Sequence, residues 1–154
     1  MNVATTERVD RAHLLEFLAD KRKYVLVTSR ADGRPQISPV TGAVDVDGRL
    51  LISSYPTRAK TANLQRTPSC AVLALSDDFD GPWTQLHGTA EVLAGEEGVE
   101  ALVAYSRAAA GEHPDWDEYR QAMRDREKVC IAITIEDWGP IATGGVPPEF
   151  ADAP

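Results

Sequence analysis

The chain has 154 residues, of which 43% are hydrophobic and 26% charged, a balance that fits one globular domain and excludes disorder. Its net charge of −8 argues against nucleic acid or an anionic membrane surface as the main partner. No apolar run approaches the roughly 20 residues a bilayer span needs, and the N-terminus MNVATTERVDR is too polar for a secretory signal, so a cytoplasmic location is expected.

Val9 to Asp20 carries apolar residues at Leu14, Leu15, Phe17 and Leu18, a helical stripe that Asp10 is placed to cap. KYVLVTS (Lys23 to Ser29) is a strand, closed by the turn Ala31-Asp32-Gly33. PQISPVTGAVDV (Pro35 to Val46) returns as a second strand. Pro39 has no N–H to donate, which predicts an edge or a bulge there. Asp47-Gly48 turns the chain into RLLISSY (Arg49 to Tyr55). A short helix over Arg58 to Gln65, with Thr57 as its expected N-cap, leads through Thr67-Pro68 into the apolar strand Ser69 to Ser76. Trp83 to Ala94 is another strand, and Gly88 in mid-course predicts a bulge. Two helices, about Glu96 to Ala109 and Pro114 to Arg124, precede a last strand, Lys128 to Trp138.

Six strands joined mostly by hairpins, without βαβ alternation, predict an α+β protein: an antiparallel six-stranded β-barrel with flanking helices. Residues 1–138 are expected to form this single domain. Residues 139–154, rich in Gly and Pro, are expected to be a meandering C-terminal tail. Cys70 and Cys130 sit in apolar stretches and read as buried thiols. The histidines His13, His87 and His113 are scattered, with no metal-ligand spacing.

One segment points to chemistry. In SSYPTRAKTANLQRTP (Ser53 to Pro68) Arg58 and Lys60 stand at a helix start, where the macrodipole disfavours cations by about 0.3–1 kcal/mol per group. First-turn N–H groups, an Arg fork and a Lys point charge together describe a phosphate site. A conventional acid, base or nucleophile constellation is not evident.

The segments DGRPQISPV (Asp32 to Val40), RAKTANLQRTP (Arg58 to Pro68), HGTAEV (His87 to Val92) and AGEHPDWDEYRQAM (Ala110 to Met123) resemble the FMN-binding split barrel superfamily, which includes pyridoxamine 5'-phosphate oxidase and many flavin and deazaflavin reductases. The last segment resembles the branch that uses the deazaflavin coenzyme F-420. The resemblance implies a split barrel and a homodimer with the cofactor in a groove at the subunit interface. It assigns Arg58 and Lys60 to the cofactor phosphate, with Thr61 and Asn63 beside them. Ser38, Pro39, Val40, Thr41, Ser53 and Ser54 would line the ring system, Gln85 and His87 would face it, and Trp138 would reach across from the partner subunit. The implied activity is hydride transfer from reduced F-420 to a small conjugated organic acceptor. The alternatives are an FMN-dependent pyridoxamine-phosphate-oxidase-like reductase and a non-catalytic flavin- or deazaflavin-binding protein. The tail after Trp138 has no Arg or Lys, which counts against a pyridoxamine phosphate oxidase proper.

Overall fold

The computed structural model describes residues 2–152. After a short strand β1 (Thr5–Glu7), helix α1 (Arg11–Leu18) starts at Asp10, whose side chain accepts from the His13 N–H at 2.9 Å. The hairpin strands β2 (Lys23–Ser29), β3 (Pro35–Val44) and β4 (Leu50–Ser54) follow, then helix α2 (Ala59–Arg66). Strands β5 (Ser69–Leu75) and β6 (Thr84–Leu93) lead to α3 (Gly95–Ala110) and α4 (Trp116–Asp125), and β7 (Val129–Trp138) closes the barrel. The six strands β2 to β7 form one closed antiparallel barrel in the order β2-β3-β4-β7-β6-β5.

Two departures from the sequence reading concern ends. The stretch expected to meander as a tail instead forms β8 (Ile141–Thr143), which pairs with β1 in the register Thr5↔Thr143 and Glu7↔Ile141. A single 3-10 turn over Pro148–Phe150 follows, while residues 153 and 154 lie outside the described residues. The signal was too weak to read because each strand has only three residues. Thr57 does not cap α2: the cap position is Arg58, extended at φ −71° and ψ 141°, with no side-chain bond to the first turn.

Alternation of side chains along each strand gives the barrel wall an inside and an outside. Tyr24, Leu26, Leu50, Ile52, Val72, Leu86, Ile131 and Ile133 fill the interior. The outside is divided. Over β4 and β7 it is covered by α3 and α4, which bury Leu51, Leu93, Leu102, Met123, Cys130 and Ala132 in a second cluster. Over β2, β5 and the first half of β3 it carries no helix, and Ile37 there is 61% exposed.

The split is visible in the pairing. β3 pairs with β2 from Pro35 to Thr41, but with β4 only from Gly42 to Val44. The first seven residues of β3 thus have one neighbour only, and Pro39 falls among them, as its missing donor requires. Gly88 marks the bulge, with a register shift against β7 between His87 and Gly88. A Cβ there would stand 2.2 Å from the Thr134 carbonyl oxygen, so only glycine fits.

Candidate functional site

The loop from β4 into α2 sits where β3 and β4 part company. Arg58 occupies the cap position of α2 and Lys60 its first turn, and that turn contains no acidic residue. Among the described residues, no carboxylate pairs with either cation. Lys60 is partly buried; lost hydration, and then the charge of Arg58, hold its pKa below the usual lysine value. The charge of this ammonium, short of water and close to another cation, is therefore left uncompensated among the described residues.

Lys128 adds a cation that the sequence did not suggest. It precedes Val129, the residue of β7 paired with Ser54, and its ammonium lies 5.1 Å from the centre of the Tyr55 ring. Only the strand pairing brings positions so far apart in the chain together, so no local pattern could have revealed it. The other cations near the split are engaged. Arg34 and Arg30 both reach Asp32, at 2.7 and 3.9 Å. Arg66 donates to the Ser29 carbonyl and to Asn63 Oδ1 at 2.9 and 2.8 Å.

The polar residues expected beside the phosphate fasten α2 to the barrel. Thr61 is fully buried, its hydroxyl 2.9 Å from that of Ser54. Asn63 donates to Thr28 Oγ1 at 3.1 Å, and Thr28 in turn donates to Gln36 Oε1 at 3.0 Å. These bonds join α2 to β4, β2 and β3, so the cations are carried on a clamped helix.

The residues expected to line a ring divide between the two faces of the wall. Ser38 and Val40 share a face with Leu26 and Tyr24, with which they pair, and so look inward. Pro39 and Thr41 look outward on the bare half. Ser54 looks inward and Ser53 outward, so the structure does not bring the two serines together. Ser38 and Ser53 nevertheless share one property: their hydroxyl oxygens are buried and have no hydrogen-bond partner. Such atoms are uncommon in folded proteins and fit a ligand that would complete them.

Gln85 and His87 are exposed on β6, with Gln85 Nε2 and His87 Nε2 3.0 Å apart. They share the outer face with Leu73 and Ala71, their partners on β5. Trp138 is anchored in its own chain: its indole N–H donates to the Val9 carbonyl at 2.9 Å, and the Arg11 guanidinium lies 5.0 Å from its ring centre. Three concavities run across the bare half. One includes Val25, Pro39 and Thr41, the next Leu73 and Trp83, the last Gln85, His87 and Trp138; Leu75 and Trp83 are shared between neighbours.

The thiols take no part. Burial pushes Cys70 up to about 11 and Cys130 up to about 12, and both are free. Among the described residues no group of three or more His, Cys, Asp or Glu is placed to hold a metal ion, and no helix is long and apolar enough to cross a membrane.

Comparison with known proteins agrees with this architecture. A solved structure of a conserved hypothetical protein from Mycobacterium tuberculosis superposes with a TM-score of 0.72 at 20% identity, over 92% of this chain and 89% of its own. An F420 reductase gives a TM-score of 0.59 at 20% identity, over 80% of this chain and 94% of its own. A heme storage protein from Vibrio cholerae gives 0.64 at 14% identity, over 84% and 93%. At these identities the likenesses establish the fold alone. The profile of the pyridoxamine 5'-phosphate oxidase family matches residues 11–142, from the start of α1 into β8. The chain therefore belongs to the pyridoxamine 5'-phosphate oxidase family, on an FMN-binding split barrel.

Proposed function

We propose that this protein is an oxidoreductase that uses the reduced deazaflavin coenzyme F-420 to reduce a small conjugated organic acceptor. The observation that carries the reading is the pair Arg58 and Lys60, placed at the start of α2 without a carboxylate between them. A phosphate would restore to Lys60 the stabilisation that burial removes, and the Arg58 fork would fix its orientation. Lys128 adds charge for the rest of an anionic tail.

The remaining residues bind and orient. Ser38, inward on β3, offers an unpaired hydroxyl to the polar edge of the ring system, while the equally unpaired Ser53 lies on the opposite face of the wall, beside Cys130. Pro39, Val40 and Thr41 give it a flank where β3 lacks a second neighbour, and Ser54 and Thr61 hold α2 against β4. Asn63 fixes Arg66 and Thr28. Gln85 and His87 supply the hydrogen-bonding groups on the bare face. When bound, the reduced coenzyme supplies the hydride, which is why the chain needs no nucleophile of its own.

The helix-free face around Ile37, which is 61% exposed, is the face we assign to a homodimer interface with the cofactor between the subunits, as the split-barrel resemblance implies. The family match favours FMN as a second reading, because both coenzymes present a phosphate to the same cations. Parallel titration of the purified protein with F-420 and FMN decides between them. Tight binding of F-420, followed by acceptor-dependent loss of its reduced form, supports the proposal. Preference for FMN transfers the chain to the second reading. Tight binding without turnover on a panel of quinones and enones makes it a carrier.

A further inference from the structure

Between β5 and β6 the chain makes the loop SDDFDGP (Ser76 to Pro82), and beside it lies a cavity of about 450 Å³. That is within the range of small-molecule sites. Its floor is Leu73 and Leu75, the outward residues of β5. Phe79 and Trp83 flank it: Phe79 is 82% exposed, and Trp83, though mostly covered, keeps 38% of its surface in water. An exposed aromatic pair beside an apolar hollow is what a ligand site looks like before its ligand arrives.

The walls are fixed. Gly81 N–H donates to the Asp78 carbonyl at 2.9 Å, and Asp80 N–H to Asp78 Oδ1 at 3.0 Å, which set the shape of the loop that carries Phe79. Trp83 is held to β8 by reciprocal backbone bonds with Ala142, both 2.9 Å. The opposite wall comes from Asn2, Gly144 and Gly145. There the Val146 N–H donates to the Asn2 carbonyl and the Ala4 N–H to that of Val146, each at 2.9 Å. A Cβ on Gly145 would come 2.5 Å from the Asn2 oxygen, so the two terminal segments meet only because that residue is glycine. The residues of this wall fall outside the stretch 11–142 that the family profile covers.

The polar lining sets the class of ligand. Asp80 faces the cavity, and among the described residues no cation pairs with it, while its neighbour Asp77 is held by Lys23 at 3.3 Å. The cavity has no basic residue in its lining. We infer that this cavity is a binding site for a flat aromatic compound bearing a cationic or hydrogen-bond-donating substituent, with the ring between Phe79 and Trp83 and the substituent at Asp80. If the coenzyme reading above holds, such a compound is the hydride acceptor. Leu75 connects this cavity to the strip that includes Pro39 and Thr41. The binding itself does not depend on that reading.

Isothermal titration of the full chain with 2-naphthylmethylamine and, in parallel, with 2-naphthoate tests the site without coenzyme present. The ammonium compound is expected to bind at least tenfold more tightly than the carboxylate. Asp80→Asn should remove most of that preference, and Phe79→Ala should weaken binding of the amine at least tenfold. Both variants should keep the wild-type affinity for F-420. Equal binding of the two naphthalenes, or wild-type binding by Phe79→Ala, overturns the inference. So does a Phe79→Ala variant that alters only the oligomeric state, because the patch would then be a subunit contact. A protein that binds the amine but no coenzyme would keep this site and lose the function proposed above.

Discussion

The two halves of the barrel wall are built from the same kind of strand and finished differently. Over β4 and β7 the outward residues Leu51, Cys130 and Ala132 are buried under α3 and α4. The arginines of α4 there are each held by a carboxylate: Arg120 by Glu100 and Arg124 by Glu96, both at 2.8 Å. Over β2, β5 and the first half of β3 the outward residues are half-buried to exposed, and among the described residues the cations at the neighbouring end, Arg58 and Lys60, pair with no carboxylate. A sequence with 24 acidic residues against 16 basic ones had carboxylates to place there. One half of the wall is complete within the chain, and the other half is left open by it.

The largest effect should come from exchanging the two halves' roles in stability. Leu102 is fully buried beneath the covered half, so Leu102→Ala should cost about 2–5 kcal/mol in chemical denaturation, through lost transfer energy and the cavity left behind. Ile37→Ala on the bare half should change the monomer's stability by no more than about 0.5 kcal/mol. Ile37→Asp should instead shift the mass in light scattering from dimer to monomer. Similar losses for Leu102→Ala and Ile37→Ala would show that both halves are covered within one chain.

Next in size is coenzyme binding. A charge-assisted hydrogen bond contributes about 1.5–3 kcal/mol, so Lys60→Ala should weaken F-420 binding about 10- to 100-fold, and Arg58→Ala similarly. Neither should lower the melting temperature, because neither side chain has an ion-pair partner among the described residues. Arg120→Ala combined with Arg124→Ala is the control from the covered half, and should leave coenzyme affinity unchanged. A control variant that lost affinity would move the anion site to α4.

Asn63→Ala should fall between these classes. The amide satisfies buried Thr28 and fixes Arg66, and leaving such partners unpaired costs about 1–3 kcal/mol. Denaturation should show the loss, and coenzyme affinity should drop less than in Lys60→Ala. The reverse order would mean that Asn63 touches the ligand itself.

How much of this could be read beforehand depended on whether the signal was local. The barrel strands were legible because β-branched runs are cut by Gly-containing turns, and Pro39 and Gly88 announced an edge and a bulge through what each residue cannot do. Arg58 and Lys60 were legible because they defy the helix dipole. The roles of Thr61 and Ser54 were not, since a hydroxyl aimed at a phosphate and one aimed at another hydroxyl look alike in a sequence. Lys128, the β1–β8 pair and the Phe79 cavity are products of tertiary pairing between distant segments, with no periodicity to betray them.

The smallest effect is the most direct probe of Lys60. Its pKa in the free protein is lowered by lost hydration and then by Arg58. Between that lowered value and the ordinary lysine value the unfolded chain binds more protons than the folded one, so in this window the free protein should gain a little stability as pH rises. Phosphate contact favours the charged ammonium and raises the same pKa in the complex. F-420 affinity should therefore hold below the free-state pKa of Lys60 and decline as pH rises through it, with proton uptake on binding. Titration calorimetry in alkaline buffers of differing ionisation enthalpy measures that uptake. Lys60→Arg, charged throughout this range, should abolish both the uptake and the decline. If the arginine variant showed the same decline, the titrating group would belong to the coenzyme or to another residue, and the uncompensated cation at α2 would not be what holds the phosphate.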